Sequence, residues 1–147
     1  MTLFKTTKTI SGLLLAIALI LAALASSADA AAPVWEIGGG GGTPNPMERG
    51  VVGKIGVSVV NVGDDNAIGT VTVSHVLSPG LEMTGFGANG YECDGDGTAA
   101  APLTCSSEIA IPPFTFAGEF NIEFIPGPDV PDTVTDTVTV TGAGGAP

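Results

Sequence analysis

Positive charge is the scarcest commodity in this chain. Of its 147 residues only four are Lys or Arg, against fifteen Asp and Glu. Two of the four, Lys5 and Lys8, sit at the extreme N-terminus, leaving Arg49 and Lys54 for everything after residue 30. A surface so short of cations repels phosphate backbones and anionic lipid, which argues against nucleic acid as a partner. One histidine and two cysteines are a poor ligand set for structural zinc. One Trp and one Tyr offer little of the aromatic platform on which sugars stack. After residue 30 no segment carries a sustained apolar period near 3.6, so no substantial helix is expected there.

The one long hydrophobic run is at the start. Residues 10–25 (ISGLLLAIALILAALA) are free of charge, follow Lys5 and Lys8, and lead to Ala28-Asp29-Ala30. A basic start, an apolar centre and small residues at the two positions a peptidase reads make a secretory signal peptide, an apolar helix cut after Ala30 so that the mature chain begins at Ala31. A membrane anchor is the alternative. It needs about 20 apolar residues, and this run is shorter and closes on Ser26, Ser27 and Asp29, so no stable span is expected after cleavage. No cysteine follows the run to take a lipid, and no twin-arginine pair precedes it. The expected location is secreted, periplasmic or cell surface. Beyond residue 30, two bases face fourteen acids, a formal charge of −12 that suits solubility outside the cell.

Residues 31–50 read as a flexible arm. Gly38-Gly39-Gly40-Gly41-Gly42 runs into Thr43-Pro44-Asn45-Pro46, and glycine runs lose much backbone entropy on ordering. Trp35 is the apolar exception, either a hook for a partner or a side chain folded back on its own domain. From residue 51 the period turns to two. Ile55, Val57 and Val59 alternate with smaller or polar residues, as do Val71, Val73, His75 and Leu77. Residues 81–86, 91–93, 103–106 and 109–111 give shorter runs. Phe120, Ile122 and Phe124 alternate with Glu119, Asn121 and Glu123, and Val134, Val138 and Val140 lie in a Thr-rich last strand. Turn clusters separate them, among them Ser78-Pro79-Gly80 and Pro126-Gly127-Pro128. About seven or eight short strands at this spacing predict an all-β sandwich with Greek-key connections over residues 51–142, with 143–147 a linker-like tail.

Cys93 and Cys105 flank a Gly- and Ala-rich loop, so the two strands that carry them are hairpin neighbours and the sulfurs can meet. In an oxidising compartment this predicts a disulfide, worth about 3 kcal/mol for so short a loop.

Taken in order, these features resemble the bacterial and archaeal surface-protein repeat family known as domain of unknown function eleven. The residues that carry the resemblance are Asn61-Val62-Gly63 at the end of the first strand, then Val71-Thr72-Val73-Ser74-His75-Val76-Leu77-Ser78-Pro79-Gly80-Leu81. Tyr91-Glu92-Cys93, Thr104-Cys105 and Asp136-Thr137-Val138-Thr139-Val140-Thr141-Gly142 complete it. His75 stands where that family tends to have Asp, and Asp136 where it tends to have Asn. The resemblance spans about residues 50–142. It implies an immunoglobulin-like sandwich of about seven strands in an envelope or secreted protein, and it brings no shared active site.

Candidate chemistry is thin. Asp94-Gly95-Asp96-Gly97-Thr98 alternates carboxylates as a calcium loop does, but the sixth and twelfth positions counted from Asp94 are Ala99 and Cys105, where that loop needs Gly and an acid. Asp-Gly pairs are ordinary turn chemistry, and Asp64-Asp65-Asn66 reads the same way. His75 shares the parity of Val71 and Val73 and should point inward, as a base, a ligand, or a hydrogen-bonded side chain at the sandwich rim. No Gly-x-Ser-x-Gly elbow is present. Lys54 has outward parity, which disfavours a buried cross-link to Asp136 or Asn121 and leaves a solvated lysine. No catalytic residue, metal ligand or cofactor is therefore assigned. The expectation is a non-catalytic structural or interaction module whose partner is an extracellular or envelope protein or a polysaccharide. A carbohydrate-binding or calcium-dependent adhesive module is the alternative, and a small secreted hydrolase the remotest reading.

Overall fold

A computed structural model describes residues 32–146, so the proposed signal peptide and its Ala30–Ala31 cleavage site lie outside the described residues. Eight strands follow one another: β1 (Trp35–Thr43), β2 (Gly53–Asn61), β3 (Ala67–Leu77), β4 (Leu81–Ala88), β5 (Glu92–Asp94), β6 (Leu103–Ile111), β7 (Thr115–Pro126) and β8 (Asp136–Gly142). They form two antiparallel four-stranded sheets, β1-β2-β7-β4 and β5-β6-β3-β8. Only β1–β2 and β5–β6 are joined within a sheet. The other connections pass between sheets, the interleaving expected of a β-sandwich rather than of two independent sheets.

The alternation that marks the strands in the sequence also sets the core. Ile55, Val57 and Val59 of β2 lie in register with Ile122, Phe120 and Gly118 of β7, and all but the glycine are buried hydrophobics. Val71, Val73, His75 and Leu77 of β3 face them from the second sheet with Leu103 and Cys105 of β6 and Val140 of β8. Each sheet thus hides one face against the other, removing from water apolar surface that either would otherwise leave wet. The opposite parity carries polar residues. Thr141, Thr72 and Ser106 stand in one row across β8, β3 and β6, and Thr139, Ser74 and Thr104 in the next.

The structure departs from the sequence reading at both ends of the domain. Residues 35–43 are not a flexible arm but strand β1, paired with β2 from Trp35↔Asn61 to Thr43↔Lys54. The entropy cost of the glycine run stands, but it is offset by the ladder to β2 and by burial of Trp35, which is only 4% exposed. The tail is not a free linker either. Ala146 bridges Val34, Trp35 N donates to Ala146 O at 2.8 Å, and Ala146 N donates to Pro33 O at 3.3 Å. A smaller difference is β6, which runs unbroken through Ser106-Ser107-Glu108, where the sequence shows two short pieces, because β3 pairs with it along its whole length.

Candidate functional site

The side chains best suited to chemistry are divided among four places, beginning with the buried histidine. As residue nine of an eleven-residue strand with strict alternation, His75 points inward and has no exposed surface. Its Nδ1 lies 2.8 Å from Asp136 Oδ2, and the Asp136 side chain is 3% exposed. β8 runs antiparallel to β3 with Leu77↔Asp136 and His75↔Val138, which brings the carboxylate over the ring from the neighbouring strand. Phe120 of β7 packs against the imidazole at 5.7 Å between ring centres. Nε2 of His75 and Oδ1 of Asp136 have no partner among the described residues. The sequence showed that His75 faces in. It did not show its partner, which is 61 positions away.

The acidic loop uses its carboxylates locally. Asp94 Oδ1 accepts from Gly95 N at 2.9 Å, and Asp96 Oδ1 accepts from Thr98 N at 2.9 Å. The amides of Asp96 and Gly97 both donate to Ala101 O at 3.1 Å, so the segment is a closed turn. Thr98, through its hydroxyl and then its amide, holds the Asp96 carboxyl below the usual carboxylate range. Among the described residues no three His, Cys, Asp or Glu side chains converge in the way a metal ion requires.

The cysteines are joined. Cys93 of β5 lies directly opposite Cys105 of β6, and the two form a disulfide. Cys105 is 1% exposed and belongs to the core, which makes the bond a staple holding the three-residue β5 to its neighbour. Lys54 points outward as its parity demands and pairs with Glu123 across the β2–β7 ladder at 3.0 Å, both side chains about half exposed.

The fourth place joins two features that the sequence shows only separately, Trp35 and the Asn61-Val62-Gly63 turn. Trp35 fills a slot between the sheets, and its Nε1 donates to Gly142 O at 3.2 Å. Asn61, fully buried, organises the neighbourhood. Its Oδ1 accepts from Val34 N at 3.1 Å and Gly63 N at 3.0 Å, while its Nδ2 donates to Asp65 O at 2.8 Å and reaches the carbonyls of Ile111 and Pro112 at 3.3 Å. Gly63 has to be glycine, since a Cβ there would collide with the Ala32 carbonyl and the Val34 amide. The Asn-x-Gly signal at 61–63 is thus the seat of the N-terminal strand. At the opposite end a groove of about 720 Å³ opens between residues 42–49 and 126–134. Arg49 closes part of it by donating to Val130 O at 2.9 Å and Asp132 Oδ1 at 3.3 Å.

A scan against protein-family models finds no match to the chain, and a search of curated proteins finds none either.

Proposed function

We propose that this chain is a non-catalytic structural or interaction module of an exported or cell-surface protein. The observation that carries this reading is the complete burial of His75 against Asp136. A general base must come within hydrogen-bond reach of the proton it takes, and this ring is enclosed by two sheets. The other reactive side chains are also tied to the fold, the cysteines to each other and the loop carboxylates to their own backbone. The N-terminal apolar run, the disulfide and the acidic composition support an extracytoplasmic setting. The resemblance of residues 50–142 to a surface-repeat family points the same way. A second reading, a carbohydrate-binding module, draws on the uncharged hydroxyl rows of β8, β3 and β6.

The test is a substitution that deletes the chemistry and keeps the shape. In cells lacking the gene, the His75→Leu/Asp136→Val variant should restore the wild-type phenotype and reach the same compartment. Failure of a variant shown by circular dichroism to be folded would replace this reading with a catalytic one. Measurable binding of soluble glycans, lost when Thr72 and Ser74 are changed to Val, would favour the second reading.

A further inference from the structure

We propose that Asn89 is a site of self-modification: in the folded protein the Gly90 backbone nitrogen attacks its side-chain amide and expels ammonia, leaving aspartate and isoaspartate in the turn between β4 and β5. The inference goes beyond the function proposed above and does not depend on it.

Cyclisation of an asparagine needs the next backbone nitrogen to be an N–H, to be held by nothing else, and to have room for Cγ to reach it. Asn89 and Gly90 are the two middle residues of an exposed turn closed by one long bond, Tyr91 N to Ala88 O at 3.3 Å. Gly90 has φ of +80°, and apart from its chain neighbours no atom lies within 4 Å of where its Cβ would stand, so nothing shields its nitrogen. The turn's other anchor, Ser107 Oγ, donates to Gly90 O at 2.6 Å and leaves the amide alone. Among the described residues neither the Gly90 amide nor the Asn89 side chain makes a hydrogen bond.

The chain has five asparagines and no glutamine, and each of the other four asparagines lacks a requirement. Asn45 precedes Pro46, which has no N–H to attack. Asn61 is fully buried, with its side-chain amide committed to backbone carbonyls. Asn66 precedes Ala67, which is fully buried and paired with Ile111, and Asn121 precedes Ile122, buried in the middle of β7. The two Asp-Gly pairs could close the same ring by losing water, but both are restrained. Gly97 N donates to Ala101 O, and the Pro102 carbonyl closes in on Gly95.

The step balances with water alone. Hydroxide takes the proton of the Gly90 amide, the nitrogen bonds to Asn89 Cγ, and the Cγ–Nδ2 bond breaks, with Nδ2 leaving as ammonia. Water then opens the cyclic imide. Attack at Cγ gives aspartate, and attack at the main-chain carbonyl carbon of residue 89 gives isoaspartate, in which the main chain runs through Cβ and Cγ. Either product adds a carboxylate to a domain already rich in them, and the second lengthens the chain where it crosses from one sheet to the other.

The test incubates the purified, folded protein at mildly alkaline pH in heavy-oxygen water, then reads the products by peptide mass mapping and by labelling with an isoaspartyl methyltransferase. The proposal predicts conversion at Asn89 in the native protein about as fast as in protein unfolded in urea with reductant. It also predicts a solvent oxygen in the product, isoaspartate among the products, and intact amides at the other four asparagines of the native protein. Asn89→Gln, whose ring would be larger, should keep its amide over the same period. An intact Asn89 in native protein while the unfolded protein converts, conversion first at another asparagine, or aspartate without isoaspartate would each overturn the proposal.

Discussion

Polar residues in the interior of this domain act as fasteners. Asn61 meets its hydrogen-bonding capacity with backbone groups from three segments, as a buried amide must if its desolvation is to be offset. His75 and Asp136 meet theirs only in part, since one nitrogen and one oxygen lack a partner. Their value therefore lies in each other, and removing either leaves the remaining group buried and uncompensated. Tyr91 packs edge-on against Phe120 at 4.9 Å between ring centres and donates to Ala117 O. Burial holds its phenol above the usual range, so the neutral form is the one the fold favours. The stabilisation is complete below the unfolded pKa of about 10 and is lost as pH rises through the higher folded value. As the only tyrosine, Tyr91 should show an absorbance titration displaced upward from that of free tyrosine. Tyr91→Phe should remove this component of alkaline unfolding.

Strands differ in how much of their stability is local, and β1 and β5 are the least local of all. β5 has three residues and is held to β6 by the disulfide. Reduction, or the Cys93→Ser/Cys105→Ser variant, should lower unfolding free energy by about 3 kcal/mol in urea titrations. If β1 were a tether, Trp35→Ala would cost nothing. As a core strand it should lose about 3–5 kcal/mol, and Gly63→Ala should expel the segment and shift tryptophan emission to the red. These two elements also show what the sequence could and could not reveal. β2, β3 and β7 were legible because each carries its own period-two record of which face is buried. β1 was not, because its composition argues for disorder and the groups that order it are remote, Asn61 at 27 positions and Gly142 at 107. The inward direction of His75 was legible from parity. Its pairing with Asp136 was not, because it depends on the register of β8 against β3.

At the scale of the whole molecule, the reactive side chains are drawn inward or tied to the backbone. The surface carries carboxylates, hydroxyl rows and a scatter of apolar side chains, Ile68, Phe114 and Phe116 among them. With two bases against fourteen acids beyond residue 30, the domain carries a repulsive field that keeps copies apart at low salt and weakens over a Debye length of about 8 Å at physiological ionic strength. Any association between copies should therefore strengthen as salt is added, a trend that light scattering can follow. The account as a whole stands on the buried pair being part of the frame. The most direct test is the urea midpoint of His75→Leu, Asp136→Val and the double variant, read with the slope held constant. The account predicts that each single change costs about 3–5 kcal/mol and that the double variant recovers most of the loss, because two apolar side chains then replace the pair and leave no buried polar group unpartnered. Single variants as stable as wild type would contradict it, since a pair that the fold does not need would have to be there for some other purpose.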